Sequence, residues 1–327
     1  GGGFAQKPQR PPNIVVILAD DLGYADVGFN GCKDIKTPHL DKLAHAGVVL
    51  ESFYVQPVCS PTRASLMTGR YVAHTGVYTV ITPHAKWGLP LEERTLAQAL
   101  KEAGYETAIT GKWHLGEFEP AYLPTKRGFD HQYGLWFGAI DYFTHERDGE
   151  VDWHRDDKPC SDEGYSTHLI AKEACRLIRE RNADKPLFLY VPFNAVHSPL
   201  DPDPARVARL ANYTYSSPDR KSQAAVTLAL DDNVGRAGAI VIGFEAARGD
   251  AVILLDAVVE HPLSIIGEMV QSWAQAQPLL LLIDDARRPA MRAPVTDKPS
   301  SICAATSGSN NPGVRCHAPP KSCARPA

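Results

Sequence analysis

No run in these 327 residues is long and apolar enough to span a bilayer, the leucine-rich stretch at 278–283 being short and flanked by polar residues, so no membrane span is expected. Neither sign of charge dominates. With 34 Lys+Arg against 38 Asp+Glu and a formal charge of −4, nothing electrostatic calls for nucleic acid or an acidic membrane as partner. Paired cysteines are also missing. The seven, at 32, 59, 160, 175, 303, 316 and 323, are odd in number and scattered, with no C-x-x-C, which excludes a visible disulfide framework and a zinc-finger spacing. The start, from Gly1 to Pro8, has no Met and no hydrophobic signal region and fits a mature chain after signal removal. Asn212-Tyr213-Thr214 is a glycosylation acceptor that matters only if a eukaryote secretes the protein. The length suffices for one large α/β domain or a domain with an appendage.

What is present is an alternation of helical and buried extended patterns. Residues 13–19 are β-branched and aliphatic without interruption and end in two aspartates, the pattern of a strand buried on both faces of a parallel sheet. A short helix is predicted over 38–47, an extended segment over 48–55, a helix over 95–103 stopped by Gly104, and a strand over 105–110. The spacing predicts a second such unit, an amphipathic helix over 165–181 and an apolar strand over 186–192, followed by a helix over 221–236. The expected fold class is therefore α/β, a mostly parallel sheet with helices on both faces and its sites at strand C-termini. Asp20, Asp21, Lys112, His114 and His197 all follow such ends.

The segment from Cys59 to Gly69 puts a sulfur nucleophile candidate just before a predicted helix start near Pro61. The first N–H groups of a helix have no intrahelical partners and favour an anion such as sulfate or phosphate. Arg63, in the first turn, adds a permanent charge with forked donors that match tetrahedral oxyanions. A lone Cys there reads as a small buried side chain beside a proline-started helix. Asp20 and Asp21 can reach one hard cation at a strand-to-loop bend, or serve as turn and cap residues. Lys112 alone reads as a solvated charge, and His114 and His197 as loop histidines.

Cys59-x-Pro61-x-Arg63, followed by Ser65-Leu66-Met67-Thr68-Gly69-Arg70, resembles the first signature of the sulfatase family. The segment from Gly104 to His114 resembles the family's G-Y-x-[ST]-x-x-x-G-K-x-H, and Asn13 to Gly23 its first strand with a metal-binding carboxylate pair. Asp141-Tyr142-Phe143-Thr144-His145-Glu146-Arg147 is similar to the arylsulfatase B-like branch. The resemblance implies an alkaline phosphatase-like sulfatase fold and a sulfuric ester hydrolase acting on carbohydrate or aryl sulfates. It implies conversion of Cys59 to Cα-formylglycine by a formylglycine-generating enzyme, and one calcium, or magnesium, held by Asp20, Asp21 and the converted Cys59. The hydrated aldehyde would attack sulfur and later collapse to release sulfate. Arg63 would hold the hydrate and carboxylates in place, Lys112 and His197 would bind sulfate oxygens, and His114 would orient or deprotonate the second hydroxyl. A secreted, periplasmic or lysosomal location follows from the same resemblance.

The resemblance covers about residues 12–236, expected to be a partial N-terminal catalytic domain. No Ser/Thr-Asp-Asn-Gly segment follows Arg236, so two expected metal ligands and a later substrate-binding Lys have no counterpart. Asp256, after an apolar run, could stand for the missing Asp, but Ala257 follows where Asn is wanted. Residues 237–283 read as an apolar segment without αβ punctuation. Residues 284–327, rich in Arg, Pro, Ala and Ser, read as a disordered, frame-shifted or divergent tail. An incomplete metal shell predicts feeble or absent turnover, and an incomplete sheet predicts an edge left unpaired or covered by the tail. The alternatives are a phosphonate or phosphodiester hydrolase of the same superfamily, and a non-catalytic sulfatase-like fragment.

Overall fold

Strand β1 (Ile14–Ala19) is apolar and buried at all six positions. Val15, Ile17 and Ala19 enter one hydrophobic cluster and Ile14, Val16 and Leu18 another, the two-residue period of an extended chain with a core on each face. A computed structural model describes this fold over residues 11–50, 53–245, 251–256, 279–281 and 314–316. The chain continues through α1 (Pro38–Ala46), β2 (Gly47–Leu50), α2 (Cys59–Thr68), α3 (Val72–Thr75), α4 (Leu96–Glu102), β3 (Glu106–Thr110) and β4 (His131–Gly134). Four two-residue strands follow, β5 (Glu146–Arg147), β6 (Glu150–Val151), β7 (His154–Arg155) and β8 (Lys158–Pro159). Then come α5 (Ser166–Glu180), β9 (Leu187–Pro192), α6 (Pro204–Arg209), α7 (Pro218–Glu245), β10 (Ala251–Asp256), β11 (Leu279–Leu281) and β12 (Val314–Cys316).

Ten strands form one sheet in the order β12-β2-β11-β10-β1-β9-β3-β4-β7-β8, and β5 pairs with β6 apart from it. From β2 to β4 every pairing is parallel, and only the margins, β12 on β2 and β4-β7-β8, are antiparallel. The expected α/β class with a mostly parallel sheet is therefore what the chain forms. Helix α4 begins at a capping box, in which the Thr95 hydroxyl accepts from Gln98 N and the Gln98 side chain accepts from Thr95 N. At α1 the Thr37 hydroxyl is committed to Gly28 N and Asp41, so it does not cap the helix. Asp231 of α7 supplies the cap instead, accepting from the backbone N–H of His39 and Leu40 at 3.1 and 2.8 Å.

Three expectations shift. Helix α2 starts at Cys59, two residues ahead of Pro61, so the candidate nucleophile is itself the first helical residue. Helix α7 runs on past Arg236 to Glu245. The stretch expected to lack αβ punctuation contains β10 and β11, because the end of α7 and the strand after it are both rich in Ala, Val and Ile, and periodicity does not separate them. The expected disordered tail lies outside the described residues except for Val314–Cys316, which pairs antiparallel with β2 and covers that edge.

Candidate active site

Three parallel strands side by side, β1, β9 and β3, end at the same margin of the sheet and deliver the chemistry there. Asp20 leaves β1 fully buried, whereas Asp21 bends away at φ +60° and keeps 55 % of its side chain exposed. At the end of β3, Gly111 has φ +131°, and a Cβ there would lie 1.9 Å from the Pro192 carbonyl oxygen. Only glycine allows the chain this close to β9, and the approach lets Lys112 N donate to Pro192 O at 2.8 Å. His114 follows at φ +56°, turned inward and 2 % exposed.

Helix α2 aims its first turn at these strand ends. Arg63 is wholly buried; its Nη1 donates to Lys112 O at 2.9 Å and its Nη2 lies 3.3 Å from Asp20 Oδ1. Lys112 Nζ donates to Asp20 Oδ2 at 2.5 Å. Burial alone would push the Asp20 carboxyl up, but the Lys112, Arg63 and His197 charges outweigh it and hold Asp20 at about 2. Asp21 goes the other way, raised by its buried portion and by the Asp20 carboxylate beside it. One aspartate is therefore firmly ionised and its neighbour holds a proton more readily.

Cys59 Sγ lies 3.2 Å from His114 Nδ1, and His114 Nε2 lies 2.9 Å from the Ile81 carbonyl oxygen. A carbonyl only accepts, so Nε2 carries the hydrogen and Nδ1 is the bare acceptor facing residue 59. Burial, followed by the Lys112 and Arg63 charges, pushes His114 well below the usual imidazole range, which keeps it neutral with Nδ1 unprotonated. His197, in the loop after β9, places Nε2 at 3.6 Å from Asp21 Oδ2. All seven residues singled out in the sequence thus gather at one locus. Lys112, expected on a sulfate oxygen, rests on Asp20.

Sequence reasoning passed over the groups that hold this cluster. Tyr142 Oη lies 2.8 Å from His197 O and 3.1 Å from Asn194 O, joining the Asp141–Arg147 motif to the His197 loop. That motif was the available signal, but which of its residues reached the site depended on the sheet order. Tyr142→Phe is expected to cost about 1–3 kcal/mol, since it strips a buried donor from two carbonyls. Urea midpoints would check the loss.

Among the described residues, three buried polar atoms of the site, Asp20 Oδ1 and Arg63 Nε and Nη2, have no hydrogen-bond partner, Nη2 and Oδ1 facing each other only as an ion pair at 3.3 Å. A buried carboxylate oxygen without a donor suits a hard cation, and guanidinium donors without an acceptor suit an anionic oxygen. Strand β10 runs beside β1 with Asp256 level with Ala19, so the backbone of Asp256 stands one strand away from the Asp20 end.

The sulfatase family model matches residues 12–259, well over half of the chain. The chain belongs to the sulfatase family. Among curated relatives, this sulfatase is 44 % identical to mouse arylsulfatase J over 214 residues, 60 % of this chain and 36 % of the relative. It is 39 % identical to dog N-acetylgalactosamine-6-sulfatase over 223 residues, 61 % of this chain and 42 % of the relative. It therefore spans less than half the length of either. The crystal structure of Ps i-CgsB in complex with k-i-k-neocarrahexaose matches with TM-score 0.70 at 32 % identity, over 76 % of this chain and 58 % of that one. PsFucS1 sulfatase from Pseudoalteromonas sp. matches with TM-score 0.61 at 26 % identity, over 75 % of this chain and 55 % of that one. Among the described residues of this chain, no helix is long and apolar enough to cross a membrane.

Proposed function

We propose that this sulfatase-family chain is built to hydrolyse sulfuric esters of carbohydrates or aryl alcohols outside the cytosol. The observation that carries the reading is Cys59, at the first position of a helix, 3.2 Å from a bare imidazole nitrogen and in one cluster with buried Asp20, Arg63 and Lys112. Calcium would be held by Asp20, Asp21 and the side chain at 59, with Asp256 as a further carboxylate candidate. The orphaned Asp20 oxygen and the hard carboxylate donors fit it. Cα-formylglycine made from Cys59 by a formylglycine-generating enzyme would supply a hydrated aldehyde as nucleophile, and calcium would polarise its oxygens. His114 Nδ1 is placed to take a proton from a hydroxyl on the β-carbon of residue 59. Arg63, ion-paired with Asp20 at 3.3 Å, would hold that carboxylate in place, and Lys112 and His197 would bring positive charge to a bound sulfate.

Ala257 after Asp256 leaves an Asn ligand unfilled, so weak calcium binding and feeble turnover are expected. The test is to produce the chain with and without a formylglycine-generating enzyme. The peptide carrying residue 59 would be weighed by mass spectrometry, calcium titrated against melting temperature, and an aryl sulfate compared with an aryl phosphonate. Conversion at 59, a calcium-dependent stabilisation short of the ~2.7 kcal/mol that a hundredfold excess over Kd gives, and slow cleavage of the sulfate ester are expected. An intact thiol with no calcium response would instead make the chain a non-catalytic relative. Preferred cleavage of the phosphonate would change the ester class, and rapid sulfate turnover would show that the metal shell is complete.

A further inference from the structure

We infer that Ser60 and Gly138 are positioning residues that fix the His114 ring with its bare Nδ1 on residue 59, a role that rests on the hydrolase reading above. Four contacts close a circuit. Ser60 Oγ accepts from Ile81 N at 3.1 Å, the Ile81 carbonyl accepts from His114 Nε2 at 2.9 Å, His114 Nδ1 reaches Cys59 Sγ at 3.2 Å, and Cys59 is covalently joined to Ser60. Both ends of the imidazole are thus referred to the first turn of one helix, α2. Ile81 is held through its own backbone N–H and C=O, so it transmits the position of Ser60 to the ring whatever its side chain does. Ser60 and His114 are 0 and 2 % exposed, which leaves little water to compete for these bonds.

Gly138 closes the remaining side. A Cβ on Gly138 would lie 2.4 Å from His114 Cε1, 2.7 Å from Nε2 and 3.0 Å from Nδ1, closer than any methyl can sit. The neighbouring Phe137 ring meets the imidazole edge-on at a centroid distance of 5.2 Å. The ring therefore has its plane set by Gly138 and Phe137 and its rotation set by Ile81 and Cys59. Gly138 acts through space alone; its φ lies outside the left-handed region.

The imidazole N–H can be watched without any turnover, in long-range 1H–15N spectra of 15N-histidine protein, with His114 assigned by the signal lost in His114→Gln. In the parent chain its Nε2–H, donated to a buried carbonyl, is expected to exchange slowly with solvent. Ser60→Ala, which frees Ile81 N, should speed that exchange about tenfold, and Ser60→Thr, which keeps the hydroxyl, should restore it. Gly138→Ala should show the same loss with the ring displaced from residue 59; should that variant fail to fold, the Ser60 pair decides. A parent-like exchange rate and ring shifts in Ser60→Ala overturn the proposal. Where the chain turns over a sulfate ester, Ser60→Ala should lower kcat at unchanged KM. A chain with no turnover but with the expected ring behaviour sinks the hydrolase reading and leaves the positioning role standing.

Discussion

Lys112→Met is expected to cost about 3–5 kcal/mol, the usual penalty for taking one partner from a buried ion pair. The reason lies in charge counting among buried side chains. Asp20, Arg63 and Lys112 are all wholly buried, and Asp20 Oδ2 takes the Lys112 ammonium while Oδ1 faces Arg63 without a hydrogen bond. Methionine keeps the shape of the side chain and removes the charge, so the carboxylate must survive on one cation or take up a proton. Urea unfolding of the single variant and of the Lys112→Met, Asp20→Asn pair separates charge from packing. The pair should recover most of the loss, since replacing both partners by neutral groups is close to neutral. A single-variant loss below about 1 kcal/mol would mean that Arg63 alone balances Asp20, and that the ammonium is held there for chemistry only.

Acid should unfold this protein through a definite window. The folded Asp20 carboxyl is lowered from its ordinary 3.8 to about 2. A lowered carboxyl contributes stability that is complete above its unfolded value and lost as pH falls through its folded one, here about 2 kcal/mol. Glu173 adds to this in the same sense. Its burial would raise it, but bonds from His131 and Arg176 and the Arg155 charge hold it well below the ordinary 4.5. Asp21 and Asp231 are raised and act oppositely, giving stability below their folded values that fades as pH rises. The urea midpoint should therefore drop steeply between about pH 4.5 and 2, and Glu173→Gln should flatten the upper part of that fall. A midpoint flat across that window would contradict the ion-pair account of both carboxylates.

How far the sequence alone reached can be judged from particular residues. Strands β1 and β9 were legible as short uninterrupted apolar runs, β3 by its place after the Gly104 helix stop, and helix α5 by its 3.6-residue period. Cys59, Arg63, Lys112 and His114 were legible because they sit in short linear motifs. The contacts among them were not. That Lys112 lies on Asp20, or that Ile81 holds His114, depends on β1, β9 and β3 being neighbours in an order that the chain does not follow. Local patterns carry no record of such order. Strand β10 was only half legible: the apolar run before Asp256 was visible, but the polar residues Glu245 and Arg248-Gly249-Asp250 that separate it from α7 were not read as the break between a helix and a strand.

The place of β1 in the sheet also sets a timetable. Its parallel partners are β9 and β10, with Ile14 in register with Phe188 and Ala251. At a synthesis rate of about 5–20 residues per second, the chain spends roughly 8 to 34 seconds with its central strand made and its first neighbour still untranslated. Helix α2 cannot be sealed against strand ends that do not yet exist, so Cys59, 8 % exposed once folded, is open from its own synthesis until β9 follows. If the proposed conversion of Cys59 takes place on the growing chain, the strand order itself supplies the opening, and the finished fold closes it.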